Sequence, residues 1–95
     1  MIKILLFGKP GCPNCEKQKE VFEGRLYDVE WEYIDITKRQ EDVEVKIDYY
    51  EIGESLPHII IEDEDHEILF SYNGMLAPKK VVEAVGNAKR KSQRN

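Results

Sequence analysis

The alternation of apolar and polar positions along the chain predicts four β-strands. Residues 2–7 predict a strand whose end, residues 4–7, is apolar on both faces, as expected of a strand near the centre of a sheet. Residues 29–36 alternate apolar and polar side chains, which is typical of a half-buried strand. The short apolar runs at residues 59–61 and 68–70 predict the other two strands.

Three further segments have helical periodicity. The first covers about residues 13–26 and starts with a proline, which the first turn of a helix tolerates. Thr37 with Gln40 fits a capping box, so the second helix is expected to follow Thr37 and to run to about residue 50. Pro78 starts the third helix. The positions expected to face the core are Cys15, Val21, Phe22 and Leu26, then Val43, Ile47 and Tyr50, and finally Val81, Val82 and Val85.

The connections between these elements define the topology. Residues 62–65 read Glu-Asp-Glu-Asp and predict a turn too charged to be buried, which joins the last two strands as an antiparallel hairpin. The first strand–helix–strand unit is expected to be a right-handed parallel crossover. We therefore predict an α/β fold of order β-α-β-α-β-β-α, with a four-stranded mixed sheet flanked by helices. A chain of 95 residues suits a single domain, residues 1–95.

Charge is distributed unevenly along the chain. The formal net charge is −5, yet residues 79–95 contain six Lys or Arg and one Glu, against eight Lys or Arg and eighteen Asp or Glu elsewhere. The acidic body argues against nucleic-acid binding by the fold as a whole. The basic end predicts a frayed, solvated tail at about residues 90–95, where cations suit the helix dipole.

The same sequence predicts a cytoplasmic protein. Its longest apolar runs have four residues, too few to span a bilayer, and its first residues lack the pattern of a signal peptide. Two cysteines three positions apart cannot form the set of disulfide bonds that stabilises a small secreted domain. A reducing cytoplasm is therefore the expected compartment, and the protein is expected to be a monomer without membrane or nucleic-acid partners.

The two cysteines of the chain form the motif Cys12-Pro13-Asn14-Cys15 at the start of the first predicted helix. Residues three apart on a helix have Cα atoms about 5 Å apart, within the range of about 4.4–6.8 Å that a disulfide needs. Cys12 would lie at the positive end of the helix, where a thiolate is stabilised, and Lys9 adds a nearby positive charge. We therefore assign Cys12 as the nucleophile and Cys15 as the resolving thiol. Pro13 stiffens the loop, and Asn14 leaves its second middle position polar.

Two other interpretations of the cysteines stay open. They could be inert structural residues, or Cys12 could ligate a metal or an iron–sulfur cluster at a dimer interface. A self-contained zinc site normally needs four ligands. The chain offers two cysteines with His58 and His66, whose spacing matches no zinc-finger pattern. Redox chemistry is favoured because the motif follows a strand and a Pro-Gly turn and opens the helix of a β-α-β unit.

Four segments together resemble the glutaredoxin family of the thioredoxin superfamily, over nearly the whole chain. The stretch from Lys9 to Cys15 is similar to the glutaredoxin site, in which a lysine stands three residues before the first cysteine of Cys-Pro-Tyr-Cys. Tyr33-Ile34-Asp35-Ile36 resembles the second strand of that family. Ser55-Leu56-Pro57 resembles the stretch that carries its cis-proline, and Asn73-Gly74 falls where glutaredoxins have a Gly-Gly turn.

The resemblance implies a thioredoxin-like fold and a thiol–disulfide oxidoreductase with a redox-active disulfide. It implies that Pro57 is cis and shapes the substrate groove, while Leu56 offers its backbone N–H and C=O to an extended substrate. Lys9 would pair with a glutathione carboxylate, and Asn73 and Gly74 would approach the other end of that tripeptide. The candidate substrate-binding residues are Lys9, Pro13, Asn14, Leu56, Pro57, Asn73 and Gly74.

Two departures from the glutaredoxin pattern bear on the electron donor. Asn14 replaces the usual tyrosine, and residues 75–78 lack the aspartate-bearing pattern that would bind the glutathione amino group. Residues 74–78 are instead similar to the Gly-Phe-Arg-Pro segment of NrdH-redoxins, which donate electrons to ribonucleotide reductase and receive them from thioredoxin reductase. The expected partners are disulfide-bearing proteins, with glutathione or thioredoxin reductase as electron source and no bound cofactor or metal.

Overall fold

The computed structural model of the chain describes residues 1–38 and 40–93. Within these ranges the elements follow the predicted order. The strands are β1 (Ile2–Gly8), β2 (Glu30–Asp35), β3 (His58–Asp63) and β4 (Ile68–Asn73), and the helices are α1 (Pro13–Arg25), α2 (Glu41–Tyr49) and α3 (Pro78–Ser92). Of the expected frayed tail, residues 90–92 therefore belong to helix α3, and residues 94 and 95 lie outside the described residues. No helix in the described ranges is long and apolar enough to cross a membrane.

The sheet is four-stranded and mixed, as predicted, with the strand order β2-β1-β3-β4. Strand β1 pairs with β2 in parallel and with β3 antiparallel, and β3 pairs with β4 antiparallel. In this register Phe7 near the end of β1 is opposite His58 at the start of β3, and His58 is opposite Asn73 at the end of β4. The loops that leave β1 and β4 and the loop that enters β3 therefore meet at one edge of the sheet.

The core has two layers because successive side chains of a strand point to opposite faces. One cluster joins Ile4 and Leu6 of β1 to residues of α1 and α3, and the other joins Leu5 and Phe7 to residues of α2. Helix α2 therefore lies on the opposite face of the sheet from α1 and α3. The helical residues buried in the two clusters are Phe22, Val81, Ala84, Val85 and Ala88 in the first, and Val43 in the second.

The prediction that Val82 faces the core is wrong, because its side chain is 56% exposed. Val81 and Val85 are four residues apart and occupy the buried face, which turns Val82 toward solvent. The capping box is also wrong. The N–H and hydroxyl of Thr37 both donate to a carboxylate oxygen of Asp35, at 2.9 and 2.6 Å, and helix α2 begins only at Glu41.

The expectation that residues 62–65 form an entirely exposed turn is corrected in part. Glu62 and Asp63 belong to β3 and are 3% and 9% exposed, so the exposed turn begins at Glu64, two residues later than predicted. The Glu62 carboxylate accepts a hydrogen bond from the Tyr50 hydroxyl, and its other oxygen lies 3.1 Å from Nδ1 of His66. The Asp63 carboxylate accepts bonds from two backbone N–H groups of the turn. Both buried carboxylates are thus hydrogen-bonded, which offsets the cost of their burial.

Replacing Tyr50 with phenylalanine is expected to destabilise the protein by about 1–3 kcal/mol at pH 7, because buried Glu62 loses its donor. Burial first, and the Glu62 carboxylate second, raise the pKa of Tyr50 well above its usual value near 10. The folded protein therefore holds this proton more tightly than the unfolded chain. The resulting stability is fully present below pH 10 and is lost as the pH rises above it.

Urea unfolding at pH 7 and at several values between pH 9 and 11.5 measures this effect. We expect the free energy of unfolding to fall more steeply with rising pH in the wild type than in Tyr50→Phe. Tyr27→Phe is the matched control, since the Tyr27 side chain is 83% exposed. Equal slopes in the wild type and in Tyr50→Phe would contradict the prediction.

Candidate active site

The loop that leaves β1 places Cys12 at the amino end of helix α1. Gly11 has a φ of +77°, a left-handed conformation that glycine adopts without steric cost. Cys12 is the N-cap residue, with extended backbone angles of φ −101° and ψ 104°, and Pro13 occupies the first turn. A side chain at the N-cap lies beside backbone N–H groups that have no partner within the helix. The local sequence Gly-Cys-Pro therefore directs the Cys12 sulfur toward the positive end of the helix.

Cys12 and Cys15 form a disulfide, with Cα atoms 5.2 Å apart. The Cys12 sulfur also accepts a hydrogen bond from the Cys15 backbone N–H at 3.2 Å. The two cysteines differ in accessibility, since Cys12 is partly exposed whereas Cys15 is completely buried. The arrangement gives one sulfur that a substrate can reach and a second that is protected from solvent but in bonding contact with the first.

Gly8, at the end of β1, lies against the side chains of Cys15 and of Tyr33 on β2. A methyl group at Gly8 would lie 3.1 Å from the Cys15 Cβ and 2.7 Å from the Tyr33 hydroxyl. A side chain at Gly8 would therefore clash with the tyrosine hydroxyl and crowd the cysteine. Burial first, and then the negative charges of Glu16 and Asp35, raise the pKa of Tyr33 above its usual value near 10.

Replacing Gly8 with alanine is expected to destabilise the protein by about 1–3 kcal/mol, because the new methyl group is too close to the side chains of Tyr33 and Cys15. The double variant Gly8→Ala with Tyr33→Phe should regain part of this loss, since it removes the nearest atom. Gly24→Ala is the matched control, because nothing lies within 4 Å of a methyl group at Gly24 in helix α1. Chemical unfolding compares the variants, and a Gly8→Ala protein as stable as the wild type would contradict the prediction.

The second side of the candidate site is formed by Leu56 and Pro57 at the start of β3. The peptide bond between them is cis. Pro57 is fully buried, and its carbonyl accepts a hydrogen bond of 2.8 Å from the Gly74 N–H. Leu56 is half-buried, and in the part of the chain that the structure describes no backbone group bonds its N–H or C=O. Leu56 thus has a free donor and a free acceptor for an extended partner.

The other predicted site residues fall into two groups at this edge of the sheet. Lys9, Pro13 and Asn14 are exposed and flank Cys12 in the loop and first turn of α1. Asn73 is exposed at the end of β4, opposite His58, and Gly74 follows it with a φ of +131°. The register brings Asn73 and Gly74 to Pro57, while Lys9, Pro13 and Asn14 belong to the side that carries the cysteines.

Two buried polar residues near these segments have no assigned role in the sequence pattern. Gln18 is completely buried, and its side-chain amide makes two hydrogen bonds with the backbone of Leu76. Its position three residues after Cys15, on the buried stripe of α1, is the signal that marks it as an inward residue. His58 is 8% exposed, and its Nε2 lies 2.9 Å from the Ser71 hydroxyl. Burial lowers the pKa of His58, which keeps it neutral at pH 7.

Between residues 1–38 and 40–93, no group of three or more His, Cys, Asp or Glu side chains is placed to hold a metal ion. Cys12 and Cys15 are bonded to each other. A bonded pair of this kind can alternate between a dithiol and a disulfide.

The fold and the Cys-x-x-Cys pair at the start of α1 define a protein of the thioredoxin superfamily with a redox-type dithiol site. The family model described as "Glutaredoxin-like domain (DUF836)" matches residues 3–83, and the chain belongs to this family. The resemblance to glutaredoxins in the sequence is thereby confirmed at the level of family and superfamily. A search of curated proteins found no match.

Solved structures with a similar fold include thioredoxins and a thioredoxin-fold protein. A mutant thioredoxin from Halobacterium salinarum has a TM-score of 0.76 at 15% identity, covering 92% of this chain and 74% of that chain. A thioredoxin-fold protein from Helicobacter pylori has a TM-score of 0.75 at 18% identity, covering 99% and 74%. Thioredoxin 1 from Thermosipho africanus has a TM-score of 0.69 at 17% identity, covering 97% and 99%. At these identities the likeness establishes a thioredoxin-like fold.

Proposed function

We propose that the protein is a glutaredoxin-like thiol–disulfide oxidoreductase that reduces protein disulfides and glutathione mixed disulfides. The observation that carries this proposal is the asymmetry of the cysteine pair. Cys12 is partly exposed at the helix amino end, and Cys15 is buried and bonded to it. An accessible nucleophile with a protected resolving thiol is the pair that thiol–disulfide exchange requires.

The reduced protein acts in two exchange steps. The Cys12 thiolate attacks one sulfur of the substrate disulfide, a bond forms between Cys12 and that sulfur, and the other substrate sulfur leaves and takes up a proton. Cys15 then loses its proton and attacks the Cys12 sulfur, which breaks the mixed disulfide and releases the second substrate thiol. The substrate gains two electrons and two protons, and the protein is left with the disulfide between Cys12 and Cys15.

Two features support these steps. The Cys15 N–H, which donates to the Cys12 sulfur at 3.2 Å, stabilises negative charge on that sulfur, as does the amino end of helix α1. The unbonded N–H and C=O of Leu56 can pair with an extended substrate as an added strand does. Exposed Lys9 supplies a cation for a glutathione carboxylate, and Asn73 and Gly74 lie at the edge where the rest of that tripeptide would extend.

A second candidate function is that of a dedicated electron donor to ribonucleotide reductase, of the NrdH-redoxin type. The observation that favours it is the segment between β4 and α3, residues 74–78, which carries Met-Leu-Ala-Pro after its glycine and no acidic residue. Glutathione would then lack a partner for its amino group. In this case the flavoprotein thioredoxin reductase supplies the two electrons in place of glutathione.

An insulin-reduction assay with two alternative electron sources tests the proposal. The oxidised protein is supplied with NADPH and either glutathione plus glutathione reductase or thioredoxin reductase. Turnover with glutathione supports the glutaredoxin function, and turnover with thioredoxin reductase alone supports the donor function. Dithiothreitol serves as a positive control for the dithiol itself. A protein that accelerates insulin reduction with none of the three reductants would refute both functions.

A further inference from the structure

A buried glutamine joins the cysteine-bearing helix to the segment between β4 and α3. Gln18 is completely buried, and its Nε2 donates to the Leu76 carbonyl at 3.1 Å while its Oε1 accepts from the Leu76 N–H at 2.6 Å. Burying an amide costs free energy unless both of its ends are hydrogen-bonded. Here each end bonds the same residue, which lies 58 positions away in the chain. Gln18 thus pairs with the Leu76 backbone in the way that a neighbouring strand would.

The pair of hydrogen bonds closes a short path between the two sides of the site. Gln18 lies one helical turn after Cys15 on α1. Leu76 lies two residues after Gly74, whose N–H donates to the Pro57 carbonyl at 2.8 Å. The cysteine-bearing helix and the cis-proline are therefore connected through the Gln18 side chain and the backbone of residues 74–76, with hydrogen bonds at Leu76 and Gly74.

The same bonds determine which side chains of the segment face outward. Leu76 is 8% exposed and packs in the core with Phe22 and Val81, whereas the preceding residue, Met75, is 41% exposed. Residues 75–77 belong to neither a helix nor a strand. In a helix or strand the backbone N–H and C=O would bond to other backbone groups. Here the Gln18 side chain bonds both groups of Leu76, and so fixes the orientation of residues 75–77.

We propose that Gln18 is a positioning residue that holds residues 74–77 at a fixed place relative to Cys12 and Pro57, and so determines how tightly a disulfide substrate binds. In its kinetic part this inference rests on the proposed function. Gln18 is buried and does not touch the substrate. It acts through its hydrogen bonds to the backbone of Leu76, whose position limits where the two preceding residues, Gly74 and Met75, can lie.

The inference predicts that a substitution at Gln18 weakens substrate binding, measured as KM, without slowing the chemical step, measured as kcat. In Gln18→Met the side chain keeps its approximate shape but leaves the Leu76 N–H and C=O without partners, so residues 74–77 shift toward water. We expect the KM for insulin to rise at least about tenfold, with kcat within about twofold of the wild type. The rate of alkylation of reduced Cys12 should stay unchanged, because the amino end of α1 is intact.

A conservative variant and a stability control sharpen the test. In Gln18→Glu the protonated carboxyl can both donate to the Leu76 carbonyl and accept from its N–H, whereas the carboxylate can only accept. Its KM relative to the wild type should therefore fall as the pH is lowered from 8.5 to 6.

Val43→Ala is the stability control. It removes core volume beneath α2, on the opposite face of the sheet, and should leave the KM within about twofold of the wild type.

Amide hydrogen exchange measures the connection independently of activity. We expect the Leu76 and Gly74 N–H groups to exchange at least about tenfold faster in Gln18→Met than in the wild type or in Val43→Ala. Unchanged exchange at Gly74, an unchanged KM in Gln18→Met, or an equal rise in Val43→Ala would each overturn the inference. A wild type that reduces no insulin would refute the proposed function, and the exchange rates would still decide whether Gln18 positions the segment.

Discussion

Replacing Cys12 with serine is expected to lower the rate of disulfide reduction at least about a thousandfold, equivalent to about 4 kcal/mol of transition-state stabilisation. A serine hydroxyl is not ionised near neutral pH, whereas the Cys12 sulfur lies at the amino end of α1 and accepts the Cys15 N–H. The buried Cys15 cannot take over, because its side chain is inaccessible to a protein substrate. The measurement is kcat/KM for insulin reduction.

Cys15→Ser is the matched control and should fail at a different step. Its Cys12 can still attack a substrate, but no second thiol resolves the product, so a mixed disulfide with Cys12 accumulates. Mass spectrometry after incubation of the reduced variant with oxidised glutathione, or with insulin whose disulfides are intact, detects this adduct. Retained turnover in Cys12→Ser, or an adduct on Cys15 in that variant, would contradict the assignment of the two roles.

Phe22→Ala is expected to have the largest effect on stability, a loss of about 3–5 kcal/mol in the free energy of unfolding. Phe22 is completely buried on α1 and packs edge to face against Trp31, with ring centroids 5.4 Å apart. Its removal leaves a cavity between α1 and the sheet. A small domain has a total stability of only about 5–15 kcal/mol, so the variant should be unfolded in part at physiological temperature.

Val82→Ala provides the comparison on another helix. The Val82 side chain is 56% exposed, so its truncation should change the free energy of unfolding by no more than about 0.5 kcal/mol. Urea unfolding of both variants checks the two values. A Val82→Ala variant as destabilised as Phe22→Ala would mean that the α1–α3 layer packs differently from the arrangement described above.

The element order and mixed sheet were predictable because they depend on local periodicity. An apolar strand, an amphipathic helix and a short charged link each leave a pattern within a few residues, and the parallel pairing of β1 with β2 follows from the strand–helix–strand connection. Val82 and Glu62 were mispredicted for another reason. Which valine faces the core depends on how α3 lies on the sheet, and Glu62 is buried because Tyr50, distant in sequence, donates to it.

In the candidate site, too, the features set by local sequence were predictable, and those that join distant segments were not. The geometry of Cys12 and Cys15 was predictable because three-residue spacing on a helix fixes their separation. The bonds from Gln18 to Leu76 were not, since they join segments 58 residues apart and a buried glutamine has no local signature. Position on a buried helical stripe indicates that such a residue points inward, but only the fold identifies its partner.

The rate of alkylation of reduced Cys12 at mildly acidic pH is the most direct measurement of the proposed chemistry. Iodoacetamide is applied at pH 5.5–7 to the reduced protein, with Cys15→Ser to isolate the Cys12 signal and a free thiol as reference. We expect Cys12 to react faster than the free thiol, and the wild-type pair to close to an intramolecular disulfide on mild oxidation. A sulfur that reacts no faster than the free thiol, or a pair that never closes, would contradict the proposed redox function.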